Sequence, residues 1–290
     1  MTPAKSSVHP REIGLVLIGI LSVQFGAGIA KTLFDDIPPT GIVWLRLASS
    51  TLVLLLWSRP RLRGRDRAAW LTVLGFGLSL GTMNWAIYQA FSRIPIGIAV
   101  TVEFVGPMTI AAFGFRRPRD LAWVGLAAVG VALLGAERTG FDAAGFAFAV
   151  LAGGSWAAYI LLSARTGRRW EGLDGLAVAS LVATLLLTPT LAVVGDDGVF
   201  GAHAIAVGAA VGLLSSVVPY SCELVALRRL EPATFGVLMS LEPAAAALAG
   251  LVVVGETLGA LQWAAIGCVI VASIGATRVT SSPIAEPVPD

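Results

Sequence analysis

Residues Ile96–Phe115 read IGIAVTVEFVGPMTIAAFGF, an apolar run long enough to cross a bilayer that carries one acid, Glu103, and one proline, Pro107. A carboxylate at that depth costs roughly 2.5–3.5 kcal/mol on insertion scales, so it is expected to face a bundle interior or a wet cavity. Pro107 follows one turn later on the same face, and its missing N–H releases the carbonyl of Glu103 from the helix ladder. One face of one helix thus offers a titratable group and a loosened backbone. The rest of the chain reads as a scaffold that keeps this face away from lipid.

With 56% hydrophobic and only 13% charged residues the chain does not fit a soluble globular domain, where charged residues approach a quarter. Working outward from Glu103 gives ten apolar stretches, at about 13–31, 39–57, 69–91, 96–115, 121–136, 145–163, 174–194, 204–227, 234–254 and 260–277. The intervening gaps leave no room for a soluble domain. The first stretch has no small-residue cleavage site after it and is read as a mature helix. Cys222 and Cys268 both fall inside apolar stretches and read as small packing residues; no metal motif and no cofactor is implied.

The loops alternate in charge. Arg59, Arg61, Arg63, Arg65 and Arg67 share one loop, Arg116, Arg117 and Arg119 the next but one, Arg165, Arg168 and Arg169 a third, and Arg228 and Arg229 a fourth. Lys5 and Arg11 precede the first stretch and Arg278 ends the last, whereas the other loops carry Asp35, Asp36, Asp142, Asp196 and Asp197. Positive charge marks the cytoplasmic side, so both termini are expected in the cytoplasm. The basic runs sit beside helix ends, which assigns them to topology rather than to nucleic acid.

Other polar residues sit inside apolar stretches. Gln24 in the first reads either as an interhelical hydrogen-bonding residue or as a cavity liner, and Lys31 at its end either snorkels to the surface or gates. Arg46 lies two turns into the second stretch and calls for a partner or a substrate. Asn84 and Tyr88 in the third share a face and either satisfy each other or line a cavity, with Gln89 beside them. The eighth stretch holds Tyr220 and Glu223, the latter a candidate for an ion pair with Arg228. The ninth holds Glu242 and Pro243, repeating the acid-and-proline arrangement of the fourth. GGSWAAYILLSA in the sixth stretch is not a hydrolase serine motif, and His9 and His203 lie near helix ends, so an intramembrane enzyme lacks its base.

Sliding the chain on itself by 136 residues aligns Ala90 with Ala226, Arg93 with Arg229, Pro107 with Pro243 and Gly114 with Gly250. After a four-residue insertion Trp123 meets Trp263 and Gly135 meets Gly275. Stretches three to five therefore resemble eight to ten. An odd unit of five helices must re-enter the membrane inverted, which predicts a 5+5 inverted repeat in an all-α integral membrane protein of ten transmembrane helices. The divisions are 1–12 (cytoplasmic N-terminus), 13–136 and 145–277 (the five-helix repeats) and 278–290, a proline-rich, disordered cytoplasmic tail. Glu242 aligns three residues from Glu103, so the two acids flank equivalent points.

Four segments carry a resemblance to a known family: SVQFGAGIAKTLF at 22–34, GIAVTVEFVGP at 97–107, FRRPRD at 115–120 and VPYSCELVALRRLEPATFGVLMSLEPAAAALAG at 218–250. Through them the chain resembles the drug/metabolite transporter superfamily and, within it, the EamA-type ten-helix exporters. The resemblance implies a bacterial inner-membrane secondary exporter of small polar amino acids of the threonine and homoserine kind. It further implies antiport with protons and alternating access. Glu103 and Glu242 would take a proton or the substrate's ammonium group, with Arg46 or Lys31 meeting its carboxylate. Gln24, Asn84, Tyr88, Tyr220 and Glu223 complete the expected substrate- and proton-binding set, and Pro107 and Pro243 break their helices. Homodimerisation is left open. The alternative reading, export of aromatic amino acids or other small metabolites, expects a wider apolar cavity served by Trp44, Trp85 and Trp156.

Overall fold

The structure, a computed structural model, describes residues 10–112, 121–136, 142–194, 199–219, 222, 226, 230 and 232–280. These residues form helices joined by short loops, with no strand among them. The elements are α1 (Pro10–Lys31), α2 (Pro39–Ser58), α3 (Arg67–Phe91), α4 (Ile96–Glu103), α5 (Val105–Ala112), α6 (Leu121–Ala136), α7 (Ala143–Gly167), α8 (Asp174–Val194) and α9 (Ala202–Gly212). A π-helical turn, Leu213–Val217, continues α9; then come α10 (Pro232–Met239), α11 (Glu242–Ala249), a second π-helical turn, Gly250–Val254, and α12 (Ala260–Thr280). Seven spans have the length and apolar character to cross a membrane, and Ile96–Ile110, Leu121–Leu134 and Ala202–Val217 are shorter apolar helices. The chain is a multi-pass membrane protein, and these seven spans and three shorter apolar helices fall on the ten apolar stretches of the sequence.

Local chemistry sets the ends. Asp66 caps α3 by accepting the Ala69 N–H at 2.8 Å, and Asp142 caps α7 through the Gly145 N–H at 2.6 Å. α2 opens with Pro39, where a missing N–H costs nothing, and stops at Arg59, whose φ of 48° is left-handed. Two spans expected to be continuous are divided. The fourth breaks at Phe104, between α4 and α5, where the absent N–H of Pro107 removes the bond to Glu103. The ninth breaks between Met239 and Glu242, where Pro243 removes the bond to Met239.

Small residues let the helices approach backbone to backbone. A Cβ on Gly77 would fall 2.6 Å from the Ala179 carbonyl oxygen, and one on Gly81 would fall 3.2 Å from Ala183, which fixes α3 against α8. Gly130 of α6 meets Ala265 and Cys268 of α12, but Gly125 has open space beside it. Cys222 and Cys268 are not joined.

The loops 59–66 and 168–173 are clasped together. Arg65 donates to the Arg169 carbonyl at 2.9 Å and lies 4.7 Å over the Trp170 ring. Arg169 pairs with Asp66 at 3.2 Å, and Asp174 accepts the Arg61 N–H at 3.2 Å. The buried Trp170 indole donates to the Ala69 carbonyl and meets Trp70 edge-on.

Candidate functional site

A cavity of about 450 Å³ lies inside the bundle, walled by α1, α2, α3, the α4–α5 joint, α7, the π-helical turn after α9, α10, α11 and α12. Into it project Gln24, Arg46, Asn84, Glu103, Pro107 and Glu242, six of the residues that the sequence singled out. Both acids are more than nine-tenths buried, and both stand at helix breaks: Glu103 is the last residue of α4 and Glu242 the first of α11. Among the described residues nothing hydrogen-bonds the Glu103 carboxyl, and Arg46 is the charge that acts on it.

Arg46 is held by two neighbours. It donates to the Ser215 carbonyl at 3.2 Å and approaches the Tyr88 hydroxyl at 3.5 Å, with its guanidinium 5.6 Å from the Tyr88 ring. Tyr88 is wholly buried behind the cavity wall and orients Arg46 rather than lining the space. Asn84 lines the cavity and donates to the Leu80 carbonyl of its own helix at 2.8 Å, so it does not satisfy Tyr88. The π-helical turn frees carbonyls for side chains: Leu214 accepts from Ser22 at 2.6 Å, as Ser215 accepts from Arg46. Gln24 Oε1, Arg46 Nε and Ser215 Oγ are buried without a hydrogen-bond partner among the described residues. Three unspent polar atoms on one wall are a reserve of hydrogen-bonding capacity.

The carbonyl oxygen of Glu103 abuts α7: a Cβ on Gly153 would lie 2.7 Å from it. The backbone loosened by Pro107 therefore leans on a glycine of the neighbouring helix. Lys31 lies away from the cavity wall, bound to Glu256 at 2.6 Å and to the Ile94 carbonyl at 2.9 Å. Pro243 is buried beside Glu242 without lining the cavity. Tyr220 and Glu223 lie outside the described residues. Of the three tryptophans, Trp156 lines the cavity, edge-on to Phe104, while Trp44 donates to Thr188 and Trp85 to Thr40. Sequence reading missed Ser215, which a π-helical turn turns inward, and the three methionines of the wall, Met83, Met108 and Met239.

A helical membrane protein whose internal cavity is walled by an arginine, two glutamates and two broken spans belongs to the class of small-molecule transporters. Residues 143–278 match the EamA-like transporter family. The threonine/homoserine exporter RhtA of Escherichia coli K12 is 42% identical over 91% of this chain and 90% of its own length. The RhtA of Salmonella typhimurium LT2 is equally similar, at 42% over 91% and 90%. One crystal structure superposes with a TM-score of 0.57 over 92% of this chain and 96% of its own, at 21% identity, a likeness of fold. The chain belongs to the EamA-like transporter family, a family of transporters rather than enzymes.

Proposed function

We propose that the chain exports small polar amino acids of the threonine and homoserine kind across the bacterial inner membrane, in exchange for protons and by alternating access. The observation that carries this reading is the meeting of Arg46, Glu103 and Glu242 in one buried cavity. An amino acid is a zwitterion, and a cavity lined by a guanidinium and two carboxyls suits both its ends. Lys31, being committed to Glu256, leaves Arg46 as the carboxylate partner. Glu103 and Glu242 then alternate between holding the ammonium group and holding a proton, with Gln24 and Asn84 as polar contacts beside them. In support, relatives 42% identical over nine-tenths of the chain are threonine/homoserine exporters.

In this reading the two five-helix halves, 13–136 and 145–277, form an inverted repeat whose matched breaks carry the two acids, and both termini are cytoplasmic. The breaks before Pro107 and Pro243 give each acid-bearing span a joint at which it bends. Expression in a strain that overproduces several amino acids, with the medium read by mass spectrometry, tests the assignment: threonine and homoserine should appear outside faster than in the empty-vector strain. Unchanged efflux of both refutes it.

A second reading, export of larger apolar or aromatic amino acids, is favoured by the apolar part of the lining. Phe104, Trp156 and Phe235 line the same cavity together with all three internal methionines, soft side chains that adapt to varied shapes. The same medium analysis, scored for phenylalanine, tryptophan and leucine, separates the two.

A further inference from the structure

We propose that Lys31 and Glu256 are gate residues: their ion pair shuts one end of the cavity and separates once in each transport cycle. The proposal rests on the alternating-access reading above and names the contact that such a cycle must break.

The pair joins three parts of the chain at one point. Lys31 ends α1; its ammonium is ion-paired with Glu256 at 2.6 Å and donates to the Ile94 carbonyl, in the loop before α4, at 2.9 Å. The second oxygen of Glu256 accepts the Ile96 N–H at 2.9 Å, capping the first turn of α4. Glu256 is turned inward by Gly255, whose φ of 80° only glycine adopts without strain, and its own N–H bonds the Gly250 carbonyl at 3.0 Å. One carboxylate thus ties the helix bearing Gln24, the helix bearing Glu103 and the span bearing Glu242.

Its position is that of a lid. On α1 the cavity wall ends at Ala27, and Lys31 stands one turn further on; on α4 it ends at Val100, and Ile96 stands one turn before. Phe34, Tyr88 and Phe91 form a tilted ring cluster with centroids 6.0 and 5.7 Å apart, and Phe91 reaches the cavity wall. A Cβ on Gly28 would meet Val253 at 3.1 Å and one on Gly97 would meet Ala247 at 2.8 Å, so α1 and α4 both press on the ninth span. The lining thus stops one turn short of Lys31 on α1 and of Ile96 on α4, while on α12 it runs to Thr277, within a turn of the helix end.

The chemistry suits a contact that reopens. The side chains are only 17% and 12% exposed, so both charges regain hydration when they part. The desolvation they suffer while paired offsets much of their attraction, which keeps the pair separable within a cycle. A snorkelling lysine, by contrast, would need neither the carboxylate nor the backbone carbonyl.

The test uses the full chain with Cys222 and Cys268 replaced by alanine and a single reporter, Ala27→Cys, on the cavity wall one turn inside the pair. A membrane-impermeant maleimide is applied from the Lys31 side, in cells and in proteoliposomes, with and without an imposed proton gradient. Glu256→Gln and Lys31→Met should each raise labelling from that side about tenfold, since a closed resting form leaves the open one at about a tenth or less. Each should lower uphill export to a similar degree, and the double variant should do no worse than either alone, because the two residues act as one pair. If Glu256→Gln fails to accumulate, Glu256→Asp, too short to reach both Lys31 and Ile96, takes its place. Labelling that stays at the wild-type level in these variants, while the wild type itself responds to the gradient, overturns the gate; a lowered melting temperature with unchanged sidedness does the same. Wild-type labelling that never responds to the gradient removes alternating access and the gate together.

Discussion

Replacing Gly153 by alanine adds one carbon against the joint between α4 and α5. That carbon falls 2.7 Å from the Glu103 carbonyl oxygen and 3.3 Å from the Glu103 Cα. An ordinary contact begins at 3.4 Å, so α7 and the joint must part by about 0.7 Å. The obstacle is main chain, and no change of rotamer relieves it. Alanine within a helix is otherwise favoured over glycine by about 0.5–1 kcal/mol, which offsets part of the lost packing, so the variant is expected to accumulate. Function is more exposed, because Glu103 moves with its backbone. Misplacing a reacting group by 1 Å costs on the order of 10²-fold in rate, and a shift of 0.7 Å is expected to cost about tenfold. Gly154 is the internal control: nothing lies within 4 Å of the carbon it would gain, so Gly154→Ala should export as the wild type does. The assay is uphill threonine export per molecule of protein, alongside the melting temperature in detergent. Wild-type export by Gly153→Ala with an unshifted melting temperature would refute the claim that this helix contact positions Glu103.

Glu103→Gln keeps size and hydrogen bonding but removes the proton. It should abolish accumulation against a gradient and spare exchange of labelled for unlabelled substrate; uphill export at the wild-type rate in a variant of normal abundance would leave Glu242 as the proton carrier. Arg46→Lys keeps the charge but cannot reach Ser215 and Tyr88 together, and losing one bond to a charged group, worth about 1.5–3 kcal/mol, should weaken apparent affinity about tenfold or more. Arg46→Met should weaken it further, and an unchanged half-saturating concentration in both would remove Arg46 from the site. Reporter fusions after Arg67, Arg119, Arg169 and Arg229 should read cytoplasm and those after Asp36 and Asp197 periplasm; a periplasmic signal after Arg229 would dismantle the inverted repeat.

The helical spans were legible because a bilayer imposes its thickness on composition, and each apolar stretch had to become a helix. The break at Phe104 was half legible: Pro107 announced a missing bond, but where the freed carbonyl would point depended on Gly153, some fifty residues away. The π-helical turns were not legible: in Leu213–Val217 only the pair Ser215-Ser216 departs from the apolar surroundings, and its effect, presenting the Ser215 carbonyl to Arg46, is tertiary. Gln24, Arg46, Asn84, Glu103 and Glu242 were recognisable because a polar group inside an apolar helix is costly, and cost narrows the explanations. Trp44 and Trp85 show the reverse. An aromatic residue is welcome anywhere in a membrane helix, so the sequence could not separate them from Trp156, the one on the wall. For Lys31 the sequence leaves snorkelling and gating open; the ion pair at 2.6 Å depends on Glu256, the one acid of the short loop 255–259, and that was the overlooked signal.

The clasp between the two arginine-bearing loops separates what a charge does from what a shape does. Orientation in the membrane counts positive charges, and lysine would serve as well as arginine at position 65. The clasp needs a flat guanidinium that lies over Trp170 while reaching the Arg61 and Arg169 carbonyls, which an ammonium cannot do. A chain with Arg65→Lys would thus be born the right way round and be less firmly tied once folded. The same residue serves first as a passport at insertion and afterwards as a fastening, and the two duties answer to different substitutions.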